Sequence, residues 1–217
     1  MAAVGVEPSG AQKPELRAGV SVEMAGTQHA AAMPEADGAD ALIVAVTQKG
    51  TVYLGITPRT PAQLTEELKK TLAGRSSKIV YVKADARVRY ASVAAVLEAM
   101  NEAGIDTPNL LTTQTLPADK PSYALPKGFR VSVGAAQPSE IRVSAQGEAP
   151  GAVTLTVQGS ATTSAQLRAD LIKAVQGQPG RGVSLRADAA LSYGDVVRVV
   201  DVCIGAGVGV TLAMPAR

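Results

Sequence analysis

One segment written twice constrains this chain more than any other feature. "KADARVRYASVAAVLEAMNEAGI" runs from Lys83 to Ile105, and "RADAALSYGDVVRVVDVCIGAGV" runs from Arg186 to Val208, at an offset of 103 residues. The match extends back to Thr60 and Thr163 without a gap, and 16 of the 46 aligned positions are identical. The shared positions are the punctuation of structure. They include Thr60/Gln63 and Thr163/Gln166, each spaced as a helix-capping pair, and the helix leucines Leu64/Leu167 and Leu68/Leu171. The Ala-Asp pairs at 84–85 and 187–188, Tyr90/Tyr193 and the helix-stopping Gly104/Gly207 complete the set. Caps, stripes and stops coincide in register, so the chain holds two copies of one supersecondary unit.

Local patterns define that unit. Ala41–Gly55 reads as a hairpin, an apolar strand and an alternating strand about the turn residues Gln48-Lys49-Gly50. Thr60–Gly74 is an amphipathic helix with Pro61 in its first turn and Leu64, Leu68 and Leu72 on one face. Lys78–Val82 is a buried strand, a second helix follows from about Tyr90 to Ala103, and Leu110–Thr113 closes the unit. The order then recurs, with strands at Ile141–Ala145 and Val153–Gln158, a helix at Thr163–Gly177 and a strand at Gly182–Leu185. A helix from about Tyr193 to Ala206 and a last strand near Val208–Met214 follow. The expected fold is α+β, two repeated β-β-α-β-α-β units, each a small sheet covered by two helices. The expected organisation is an irregular lead-in over 1–36, a first domain over 37–113, a Pro-rich linker over 114–128 and a second domain over 129–217.

Composition excludes several functions. Aromatic residues are 3% of the chain and the net charge is +2, without a basic block, which argues against nucleic-acid binding. Cys203 is the single cysteine and falls on the apolar stripe of a helix, where a buried small hydrophobe is expected. His29 is the single histidine and has no His/Cys cluster with it, so neither a metal site nor a cofactor is expected. "GAGVGV" at 205–210 follows a helix instead of opening one, which puts the wrong dipole end toward a phosphate. Asp85 and Asp188 stand between a strand and a helix, where a carboxylate can accept backbone N–H groups. Neither travels with a second acid or a nucleophile, so no catalytic residue is expected and a small α+β hydrolase is the weakest alternative. Ala41–Val46, the longest clean apolar run, is too short to cross a membrane.

The signature strand, (Lys/Arg)-Ala-Asp, four residues, Tyr, helix, Ala-Gly, strand resembles the periplasmic domain of the ExbD/TolR family of biopolymer-transport proteins. The first copy resembles it from "VEMAGTQHAAAMPEA" onward, and the second from about Val153. The resemblance implies an interaction module of a proton-motive-force-driven motor, on the periplasmic side of the inner membrane. Its implied partners are an ExbB/TolQ-like membrane protein, reached through an anchoring helix, and a TonB- or TolA-like protein or peptidoglycan. The anchor and its aspartate are not written in this chain, which is therefore expected to be a soluble fragment of a single-pass membrane protein. Family domains pair between chains, so the tandem implies an intramolecular pseudo-dimer or a homo-oligomer. Asp85, Tyr90, Asp188 and Tyr193 are expected as structural motif residues with a possible role in partner contact. Met33 and Pro34 are expected in a movable segment.

Overall fold

The computed structural model describes residues 20–75, 77–114, 126–137, 139–176 and 180–214. Residues 1–19 of the expected lead-in and 115–125 of the expected linker lie outside the described residues. In chain order the first half comprises β1 (Gly26–Thr27), β2 (Ala31–Ala32), a 3-10 turn (Pro34–Asp37), β3 (Leu42–Val46), β4 (Val52–Leu54) and β5 (Thr57–Arg59). It continues with α1 (Pro61–Ala73), β6 (Val80–Ala84), α2 (Tyr90–Glu102) and β7 (Asn109–Gln114). The second comprises β8 (Lys127–Arg130), β9 (Ser132–Gly134), β10 (Ile141–Gln146), β11 (Thr154–Val157) and β12 (Ser160–Thr162). Then follow α3 (Ser164–Val175), β13 (Val183–Ala187), α4 (Tyr193–Gly205) and β14 (Val210–Ala213).

The two sheets share one topology. Strands β7-β6-β3-β4-β5 lie side by side in the first, and β14-β13-β10-β11-β12 in the second. Parallel pairing joins the strands separated by helices, and antiparallel pairing joins the hairpin strands, as crossover and hairpin connections require. The two-helix α+β unit stands as expected, with one addition. Each copy carries a third hairpin strand, β5 or β12, of only three residues. That length is too short to register as an alternating pattern. In the second copy the turn into it has Gln158 at φ 53° and Gly159 at φ 86°, the paired left-handed geometry that matches strand twist.

The segments outside the repeat do more than connect. Within 20–36, β1 pairs parallel with β7, β2 pairs antiparallel with β8, and Ala36 of the 3-10 turn is fully buried. Lys127 and Gly128, expected within the linker, belong to β8, which pairs antiparallel with β7. Past Val131 the same extended run becomes β9 and pairs in parallel with β14. Its inner edge meanwhile follows the first copy, with Val131 N–H bonded to Pro108 O and Val133 N–H to Asp106 O. One run of backbone therefore seals both sheets.

The cores are one core. Leu64, Leu68, Val93, Leu97 and Met100 of the first copy join Leu167, Leu171, Val196, Val200 and Cys203 of the second in one contiguous apolar cluster. Each such leucine, fully buried, contributes roughly 1.5–3 kcal/mol. The helices start as their caps direct. Thr60 and Gln63 close a reciprocal capping box on α1, and the Thr163 hydroxyl accepts the Gln166 N–H on α3.

The copies meet about a local two-fold. Arg89 and Ser192, equivalent positions at the 103-residue offset, face each other as an antiparallel bridge. Tyr90 N–H donates to Leu191 O and Tyr193 N–H to Val88 O, both at 2.8 Å. Ala91 N–H donates to Ala189 O at 3.1 Å, and Gly194 N–H to Ala86 O at 2.8 Å. Each bond maps onto its mate when the copies are exchanged, which is the signature of an isologous contact. A Cβ on Gly194 would lie 3.0 Å from Ala86 O and 3.3 Å from Ala86 Cβ. Gly194→Val is therefore expected to push the copies apart and destabilise the whole chain by about 1–3 kcal/mol. Urea unfolding checks this, and an unchanged midpoint would contradict so close an approach.

Candidate functional site

The sequence motif residues gather around the two-fold, with different fates in the two copies. Tyr90 and Tyr193 are the first residues of α2 and α4, and both are buried, at 4% and 1% exposure. Burial raises both phenols, and at Tyr193 the proximity of Tyr90 adds to the rise. The Tyr193 hydroxyl finds no hydrogen-bond partner among the described residues, where a polar partner was expected.

Asp85 is buried and held on all sides. Its carboxylate accepts Nε and a terminal nitrogen of Arg87 at 2.9 and 2.8 Å, and the backbone N–H groups of Arg87 at 3.0 Å and Glu23 at 3.3 Å. The Arg87 guanidinium, helped by those amides, holds the carboxyl below its ordinary value against the cost of burial. Asp188 is exposed, and among the described residues its carboxylate accepts only the Gly147 N–H, at 3.1 Å. The residue equivalent to Arg87 is Ala190, so the second copy has no local guanidinium at that place.

Met33 is held by contacts in this structure, and Pro34 opens the 3-10 turn and is exposed. Met33 N–H donates to Pro126 O at 2.6 Å, and Met33 packs with Ala36 over Ile43, Tyr81 and Leu111. Cys203 is fully buried, and burial pushes its thiol up to about 12, which leaves almost no thiolate.

Two acids of α4 that line one cleft escaped sequence reasoning. Asp195 and Ser192 form a reciprocal capping box at the helix start. Burial pushes the Asp195 carboxyl up, but hydrogen bonds from Ser192 and the Gly151 N–H, with Arg198 nearby, more than offset it and leave the group below its ordinary value. The signal was legible as Ser-x-x-Asp ahead of an apolar run. Further along α4, Asp201 accepts the backbone N–H groups of Gln28 at 3.2 Å and His29 at 2.8 Å. The His29 Nδ1 lies 3.4 Å from the same carboxylate, and its ring covers Gly205, where a Cβ would come within 2.6 Å. His29 is thus a buttress for the lead-in and not the solvated bystander its isolation suggests. These groups and Arg198 line a cleft of about 460 Å³ between the lead-in and α3–α4. Its acids are committed to backbone amides and caps, and no three His, Cys, Asp or Glu side chains among the described residues gather as metal ligands.

What the fold offers a partner is main chain. Gly55 N–H bonds Ile43 O, so Tyr53 bonds toward β3 while Val52 and Leu54 bond toward β5. Pro58, opposite Tyr53, then faces outward without a donor, which blunts that edge. The same logic from Gln158 N–H to Arg142 O leaves Ala161, opposite Thr156, facing outward with its N–H and C=O both available. Ala161 is exposed. The two copies thus present unequal edges.

The geometry defines a covalent pseudo-dimer of a small α+β unit. The model of the family described as biopolymer transport protein ExbD/TolR matches residues 12–115 and again 107–216. The chain belongs to that family and carries its domain twice. No curated protein and no solved structure matches the chain. The family serves biopolymer transport at the inner membrane and is not one of enzymes. Among the described residues, no helix is long and apolar enough to cross a membrane.

Two outcomes follow for the buried acids. Asp85 and Asp195 have native values below the ordinary 3.8, so their stabilisation is complete above the unfolded-state value and is lost as pH falls through the native one. Asp85→Asn should flatten the acid limb of the stability–pH profile below the ordinary carboxylate value, as measured by urea midpoints. Asp201→Ala should free the Gln28 and His29 amides to exchange and cost about 1.5–3 kcal/mol, the worth of charge-assisted hydrogen bonds.

Proposed function

We propose that this chain is the periplasmic interaction module of an ExbB-ExbD/TolQ-TolR-type motor, coupling proton flow at the inner membrane to an envelope partner. Membership of both halves in the biopolymer transport family supports the general role. The observation that carries the specific reading is the unequal pair of sheet edges on a dimer already closed within one chain. The self-association surface is occupied by the chain's own second copy, and the outward β12 edge is left open. A TonB- or TolA-like protein adds an extended segment there, its main chain bonding Ala161 as an extra strand. Pro58 denies the same docking at β5, so the module takes one such partner per chain. Release of the Met33–Pro34 segment, which would uncover Ile43, Tyr81 and Leu111, is the part of this reading that lets motor motion reach the sheet.

The test is titration of isotope-labelled chain with extended peptides from TonB- and TolA-like proteins. Amide shifts at Ser160–Thr162, and a loss of affinity of about tenfold in Ala161→Pro with an unchanged unfolding midpoint, are expected. Peptide binding that moves no β12 amide, or that survives Ala161→Pro, would overturn the edge assignment. Co-sedimentation with purified sacculi, without any peptide response, would favour the peptidoglycan alternative.

A further inference from the structure

The outer faces of the two sheets, equivalent in topology, differ in chemistry and in cover: Lys83 on the first is buried, while its equivalent Arg186 on the second is exposed. In the first copy Ile43 stands beside Tyr81 and Ala45 beside Lys83. Ile43, Tyr81 and Leu111 form a small apolar cluster, and Ala36 from the Pro34–Asp37 turn seals it with Met33. That turn also carries Glu35 and Asp37, and Met24 and Ala41 pack against the same cluster.

In the second copy the same registers pair Arg142 with Ser184 and Ser144 with Arg186. Alternation along β10 turns Ile141, Val143 and Ala145 into the core and leaves Arg142, Ser144 and Gln146 on the other side. Arg142, Ser144, Ser184, Arg186, Ala213 and Met214 line a shallow basin of about 620 Å³. Both arginines are exposed. Among the described residues neither forms an ion pair or a side-chain hydrogen bond, although acids elsewhere on the chain are paired with guanidinium groups. Among the described residues the basin has no cover of the kind that the 3-10 turn supplies to its counterpart.

We infer that this basin is a docking site for a short acidic peptide segment of a partner protein, held by Arg142 and Arg186. Charge complementarity is one warrant: two planar guanidinium groups on adjacent strands, with the half-buried Ser144 beside them, match two carboxylates on one turn or strand of peptide. The chain itself supplies the other. Its first copy shows that a short turn, with Ala36 and Met33 at the contact, fits the outer face of the equivalent sheet. The site lies on the sheet face, uses side chains and does not depend on strand addition at the β12 edge or on the motor reading.

The experiment uses the full isotope-labelled chain and a blocked synthetic peptide of residues 31–40, AAMPEADGAD, with Glu35, Asp37 and Asp40 as its carboxylates. A twin carries Gln and Asn in their place. The acidic peptide should shift Arg142, Ser144, Ser184 and Arg186, weaken as salt is raised, and lose affinity about fivefold or more with Arg142→Ser/Arg186→Ser. Both arginines are exposed, so the double variant should keep the parent unfolding midpoint. Four outcomes would overturn the inference: no shift, equal shifts from the neutral twin, shifts confined to Ile43 and Tyr81, or equal binding by the double variant. A response of these arginines to phosphatidylglycerol vesicles or sacculi, with none to the peptide, would also overturn it.

Discussion

The first amides of α2 and α4 have no acceptor within their own helices, and each pair is satisfied by the other copy. Any α-helix leaves its leading N–H groups without an intrahelical partner, and a buried orphan costs as much as a lost hydrogen bond. Here Tyr90 and Ala91 donate to Leu191 and Ala189, while Tyr193 and Gly194 donate to Val88 and Ala86. Neither copy can complete its helix start alone. The continuous core, the buried tyrosine pair and the β8–β9 run that serves both sheets all depend on this exchange.

Covalent linkage makes the exchange intramolecular, so its strength does not depend on protein concentration. Linkage also frees the copies from identity. In a dimer of identical chains every surface appears twice; in this tandem, Asp85 is clamped by Arg87 while Asp188 faces solvent. Pro58 blunts one edge while Ala161 leaves the other open, and one sheet face is largely apolar and covered while the other carries two exposed arginines. A symmetric interior with an asymmetric exterior suits a module that must hold together in one way and bind in another. The same division explains where the 16 shared identities fall, on caps, stripes and turns instead of on the outer faces.

The repeat made much of this legible from the residues. Helix boundaries followed from Thr60, Pro61 and the two stop glycines, and the strands between helices were found as apolar runs. β6 was displaced by two residues, because Lys83 and Ala84 extend the strand where an apolar run has ended. The three-residue strands β5 and β12, and the two-residue β1 and β2, carry no periodicity to read. Partners decide their conformation, and those of β1 and β2 lie far away in sequence. The site was less legible for the same reason. His29 looked solitary because Asp201 is 172 residues distant, and the outer-face contrast appears only when registers place Arg142 where Ile43 stands.

The central claim is that the two copies complete each other's helix starts. Hydrogen exchange at Tyr90, Ala91, Tyr193 and Gly194, measured on the monomeric chain at several concentrations, tests it most directly. The account predicts four slowly exchanging amides that open together, independent of concentration and with the stability of the core. Exchange of these amides at the rate of exposed loops, or protection that rises with concentration, would contradict it.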